Sequence, residues 1–97
     1  MFVKWNKVAA RQLIDAIDFI EEAGFYDYAL ELEKSILSRI RNLPENPVLY
    51  PADKFRKANK GNYRAFEVDN YRISYRVGKN EISIVRIRHT SRRVKHY

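Results

Sequence analysis

Three strand-like runs follow one another between residues 63 and 89 with almost nothing between them, and that succession limits what the chain can become. YRAFEV is joined through Asp69-Asn70 to YRISYRV, and Gly78-Lys79-Asn80 leads into EISIVRIRH. Tight polar turns between β-branched and aromatic runs predict antiparallel hairpins. In the middle run Tyr71, Ile73, Tyr75 and Val77 share one face, and Arg72, Ser74 and Arg76 share the other, because successive side chains of a strand alternate in direction. The third run is apolar on both faces over Ile82 to Val85, which suits a central strand.

Upstream, the period changes from two to about 3.6. From Lys7 to about Ala23 the residues Ala10, Leu13, Ile17 and Ile20 recur at helical spacing. Asn6 is placed to cap that helix, and Gly24 to end it by taking a left-handed backbone without Cβ strain. A second helix is predicted from Tyr26 to Leu43, with Ala29, Leu32, Ile36, Ile40 and Leu43 on one face. Pro44 stops it, and Pro47 and Pro51 keep the following loop extended. Phe2, Val3 and Trp5 read as a short opening strand. The expected fold is therefore α+β, a two-layer β-α-α-β-β-β arrangement in which a helical hairpin packs on one face of an antiparallel sheet. The other face is expected to stay open and basic, with Arg72 and Arg76 emerging there. By parity Arg64 joins them, with Arg86 and Arg88 or their neighbours.

At 97 residues the chain is expected to form one domain, 1–97, with 89–97 as a basic C-terminal tail. It contains no cysteine, which excludes disulfides, zinc-thiolate sites and cysteine catalysis. No long apolar run marks a signal peptide or membrane span, so a cytoplasmic location and no membrane partner are expected. Residues 1–50 carry six Lys/Arg against eight Asp/Glu, whereas residues 51–97 carry thirteen against four, and the net charge is +7. Such asymmetry describes a structural half joined to a cationic surface that attracts a polyanion or an acidic protein.

Familiar catalytic motifs are missing. There is no phosphate-binding glycine loop, and His89 and His96 lack metal-ligand spacing, so no cofactor and no metal are expected. What remains is Arg, Lys, His and Tyr concentrated on the predicted open face and the tail IRHTSRRVKHY. Such a set suits RNA cleavage by the 2′-hydroxyl: arginines stabilise the phosphorane oxygens, and His or Tyr moves the protons. Bases would stack on aromatics such as Tyr63 or Tyr97. Read by itself, however, the pattern reaches only a basic sheet face suited to phosphate or to an acidic partner.

The order NLPENP, GNYRAFEV, DNYRISYRV and EISIVRIRHTSRR resembles the RelE/ParE superfamily of bacterial type II toxins, over nearly the whole chain. The resemblance implies the βααβββ layer and an acidic antitoxin that wraps the toxin and covers its basic face. RelE-like members cut mRNA on the ribosome, whereas ParE-like members poison DNA gyrase. Under the first branch the resemblance places the catalytic set on Arg72, Arg92, His96 and Tyr97. RNA contacts then fall to Arg64, Arg88, His89, Arg93 and Lys95. One lysine of the RelE-like pattern falls on Phe66, and IRHTSR also looks like ParE-like sequences. The favoured expectation is a ribosome-dependent, metal-independent endoribonuclease that binds ribosome and mRNA. The alternative is a gyrase inhibitor without catalysis.

Overall fold

The computed structural model describes residues 1–91. Strand β1 (Phe2–Trp5) leads into helices α1 (Lys7–Glu22) and α2 (Tyr26–Asn42), and a 3-10 turn follows at Leu43–Glu45. Strands β2 (Tyr63–Val68), β3 (Tyr71–Val77) and β4 (Glu81–His89) complete the order, with the limits that the turn residues mark in the sequence.

Local chemistry explains the helix ends. The Asn6 side chain accepts the Val8 N–H at 2.7 Å, satisfying one of the unpaired donors of the first turn. At the other end Gly24 takes φ +91°. Its N–H then donates to the Glu21 carbonyl at 2.9 Å and the Phe25 N–H to the Ile20 carbonyl at 3.2 Å, the double closure of a Schellman motif. The helices bury Ala9, Leu13, Ile17, Ile20, Ala29, Leu32, Ile36 and Ile40 against the sheet. On α1 the inward alanine is Ala9, one position before the expected Ala10. Spacing of four to Leu13 puts Ala9 on the buried stripe and leaves Ala10 on its flank.

The sheet runs β1-β4-β3-β2. The β2, β3 and β4 meander is antiparallel as expected, and β1 adds to the far side of β4 in parallel, so the sheet is mixed. Strand β4 is thus central, as its apolar run requires. On the helix side of the sheet lie Phe66, Val68, Tyr71, Ile73, Tyr75, Ile82, Ile84 and Ile87.

The spacing of the last three isoleucines is not that of a regular strand. Ile82 and Ile84 are two apart, but Ile84 and Ile87 are three apart, so one residue must drop out of phase. The pairing does this: Tyr75 faces Ile84, Ser74 faces Arg86, and Val85 is the extra residue of a β-bulge. The bulge keeps Ile87 in the core and turns Arg86 and Arg88 to the opposite face, beside Ser74 and Arg72. Among the described residues no helix is long and apolar enough to cross a membrane.

Candidate functional site

The face of the sheet away from the helices carries Arg72, Arg76, Arg86 and Arg88, set there by strand parity and the bulge. Arg72 lies directly across from Arg88 on one side and from Glu67 on the other. Two guanidiniums in register repel each other, so this placement needs compensation. Loop 51–62 supplies it.

The loop is fastened to the edge of β2. The Asp53 N–H donates to the Tyr63 carbonyl at 2.8 Å and the Ala65 N–H to the Pro51 carbonyl at 3.3 Å. Asn59 then ties the loop to itself and to β2. Its amide nitrogen donates to the carbonyls of Asp53 and Tyr63 at 3.1 and 2.8 Å, and its oxygen accepts the N–H groups of Gly61 and Tyr63 at 2.9 and 3.2 Å. The result lays Asp53 and Phe55 over the arginines. Asp53 is 2% exposed, and its carboxylate accepts from Arg72 Nη2 at 3.1 Å and from the Phe55 N–H at 3.1 Å. Arg72 Nη1 reaches Glu67, also at 3.1 Å. The Phe55 ring lies against both guanidiniums, 4.8 Å from that of Arg72 and 5.5 Å from that of Arg88.

Arg72 is therefore held by two carboxylates and an aromatic ring, and its side chain is only 11% exposed. A phosphate reaching it would have to displace Asp53 or Glu67. Tyr63, expected as a stacking platform, has its ring 3.9 Å from the Arg56 guanidinium, which also donates to its hydroxyl at 3.0 Å.

Two other candidates do not join Arg72. Arg64 was expected on the basic face, but the β2–β3 register pairs it with Tyr75 and so turns it to the helix side. There its guanidinium donates to the carbonyls of Tyr50 at 2.7 Å and Val48 at 3.4 Å. The Tyr75 hydroxyl nearby donates to the Pro47 carbonyl at 2.8 Å. Burial pushes the Tyr75 phenol up to about 12, an effect that the Arg64 charge opposes. Together these two residues anchor the segment 47–50. His89 pairs with Tyr71 and also falls on the helix side, its ring edge-on to the Tyr71 ring at 5.1 Å. Its Nδ1 accepts the Ser91 N–H at 3.1 Å and lies 2.6 Å from the Ser91 hydroxyl. Arg92, Arg93, Lys95, His96 and Tyr97 lie outside the described residues.

Reasoning from sequence missed Asp53, Phe55 and Asn59. The available signal was Asp53 itself, a single acid just ahead of Lys54, Arg56, Lys57 and Lys60. Among the described residues no three His, Asp or Glu side chains gather closely enough to hold a metal ion.

Comparison with known proteins bears on what this face does. Residues 3–94 match the family model described as ParE toxin of type II toxin-antitoxin system, parDE. A solved structure described as the chromosomal ParDE TA system from P. aeruginosa shares the fold with a TM-score of 0.72. It is 22% identical, and the match covers 94% of this chain and 97% of that one. No curated protein sequence matches the chain. The family match corrects the expectation of a ribosome-dependent endoribonuclease: the model that fits is that of the ParE branch, where catalysis is not expected. The enzyme assignment and the ribosome and mRNA as partners fall with it.

Proposed function

Since the chain belongs to the ParE toxin family of type II toxin–antitoxin systems, we propose that it arrests growth by binding DNA gyrase, with a ParD-like antitoxin as its neutralising partner. The observation that carries this reading is the ParE model's match to residues 3–94. Side-chain geometry supports a binding role over RNA chemistry. The arginine expected to grip the scissile phosphate is tied to Asp53 and Glu67, and the histidine nearest it along the sheet faces the other side. The remaining cationic surface suits a protein or nucleoprotein partner with negative charge, which it steers by long-range attraction.

Purified toxin added to gyrase and relaxed plasmid tests the proposal. The expected result is loss of supercoiling with accumulation of cleaved DNA, reversed by the antitoxin, while cellular mRNA 5′ ends stay intact during growth arrest. Normal supercoiling at toxin concentrations that saturate the antitoxin would refute it.

A further inference from the structure

The strand register draws one line across the whole sheet on the face away from the helices. Lys4 of β1 pairs with Ser83 of β4, Ser83 with Arg76 of β3, and Arg76 with Tyr63 of β2. These side chains share a face because their neighbours along the strands, among them Val3, Ile82, Ile84 and Tyr75, turn toward the helices. Adjacent strands lie about 4.8 Å apart, so Ser83 stands between two cations whose backbones are about 10 Å apart. At the Tyr63 end the Arg56 guanidinium on the ring adds a third positive charge.

These cations differ from Arg72, which is spent on two carboxylates. Among the described residues the side chains of Lys4 and Arg76 make no hydrogen bond or ion pair, and Lys4 is exposed. The acids of this face stand off the line. Asp53 and Glu67 are held at Arg72, farther along β3, and Glu81 lies across from Phe2, ahead of Ser83 on β4. A serine hydroxyl flanked by a lysine and an arginine is thus left facing outward without a carboxylate in its line.

From this juxtaposition we infer that the line of Lys4, Ser83 and Arg76 grips the phosphate backbone of the DNA duplex that gyrase holds. The identity of that duplex rests on the gyrase reading above. Arg76 takes two non-bridging phosphate oxygens with its fork, while the Ser83 hydroxyl and the Lys4 ammonium hold the same strand beside it. Such contacts position the toxin without reading sequence. The chemistry of the line favours DNA over a protein surface. Its side chains are Lys, Ser, Arg and Tyr, with no aliphatic residue. The centre of a protein–protein interface is depleted of charge, whereas protein–DNA interfaces are polar and strongly positive. It also favours a duplex over single-stranded RNA, whose splayed bases stack on open aromatic rings. Tyr63, the aromatic residue of the line, already has its ring against Arg56.

Fluorescence anisotropy of the labelled full chain tests the line, with three titrants: gyrase alone, gyrase loaded with a linear mixed-sequence duplex, and the duplex alone. Each titration is repeated between about 50 and 200 mM salt, where every phosphate contact adds about 0.9 to the slope of log affinity against log salt. The double variant Lys4→Gln with Arg76→Gln is expected to lower that slope by about two on loaded gyrase and on the duplex, and to bind both about tenfold more weakly at the low-salt end. Its affinity for gyrase alone is expected to stay within about twofold of wild type, and Lys34→Gln, exposed on α2, to change none of the three by more than that. An unchanged slope on loaded gyrase overturns the line and leaves the gyrase reading standing. An equal loss on gyrase without DNA gives the line to an acidic protein surface and overturns it. Single-stranded RNA that displaces the duplex from the toxin at lower concentration than unlabelled duplex does also overturns it. A chain that ignores gyrase but binds the duplex with the expected change in slope removes the gyrase reading and supports the phosphate contact.

Discussion

Removing the Asp53 carboxylate tests whether the basic face is a binding surface that Arg72 merely visits or a structure that Arg72 holds together. In Asp53→Ala the guanidinium loses the one partner that is fully buried and keeps Glu67, whose side chain is 51% exposed. Breaking a buried pair by deleting one member costs about 3–5 kcal/mol, because the other charge stays buried. The exposed pair that remains returns about 1 kcal/mol at most. The Phe55 N–H also loses its acceptor, at about 1 kcal/mol. These losses share one site and do not add, so the expected destabilisation is about 3–5 kcal/mol, a large part of the ~5–15 kcal/mol that holds a domain folded. Urea unfolding followed by far-UV circular dichroism measures it. Arg72→Met, Asp53→Ala and the double variant close a cycle in which the coupling is expected to exceed about 1.5 kcal/mol. The double variant should therefore lose less stability than the two single costs added together. A coupling within about 0.5 kcal/mol of zero, or an Asp53→Ala cost no greater than that of Glu67→Gln, would refute the reasoning.

Three further outcomes follow from the same geometry. Tyr75 is raised to about 12 in the folded chain from an ordinary value of 10.0, so its neutral form stabilises the fold at pH values below about 10 and that contribution is lost as pH rises toward 12. The melting temperature is expected to fall across that window, and less steeply in Tyr75→Phe, which at neutral pH costs about 1 kcal/mol for the bond to Pro47. Ile84→Ala empties a fully buried position in the central strand and is expected to cost about 2–5 kcal/mol by denaturant titration. Gly24→Ala meets no atom within 4 Å, so its expected cost of about 1 kcal/mol comes from the φ of +91° alone and should appear in thermal melts with no change in antitoxin binding.

Much of the architecture was legible because it depends on near neighbours in the chain. The limits of β2, β3 and β4, the Asn6 cap and the Gly24 terminus each follow from a few consecutive residues. The inward face of α2 follows from spacing alone, and every residue expected there is buried. The site was less legible. Parity within β3 correctly separated Arg72 from Tyr71, yet it does not carry across a hairpin without the register, and Arg64 was assigned to the wrong face for that reason. The side taken by Arg86 and Arg88 depended on one bulged residue, visible only as an isoleucine spacing of three in place of two. The branch of the superfamily was not decided by the cationic residues, since the same arginines serve a phosphate, a partner or an internal carboxylate.

What the sequence determined by itself is a helical hairpin laid on one face of a meander, with basic residues sent to the other face. Periodicity, caps and turn chemistry are local and survive without knowledge of what packs where. Only the tertiary structure decided that loop 51–62 returns over that face and spends Arg72 on a buried aspartate, nineteen positions earlier in the chain. Only it decided, too, that β1 ends early enough to leave the Ile87 amide to a glutamine side chain from α1. Both depend on contacts between segments far apart in sequence. Charge and pattern place a residue on a face; the partner that reaches it from elsewhere settles what it does there.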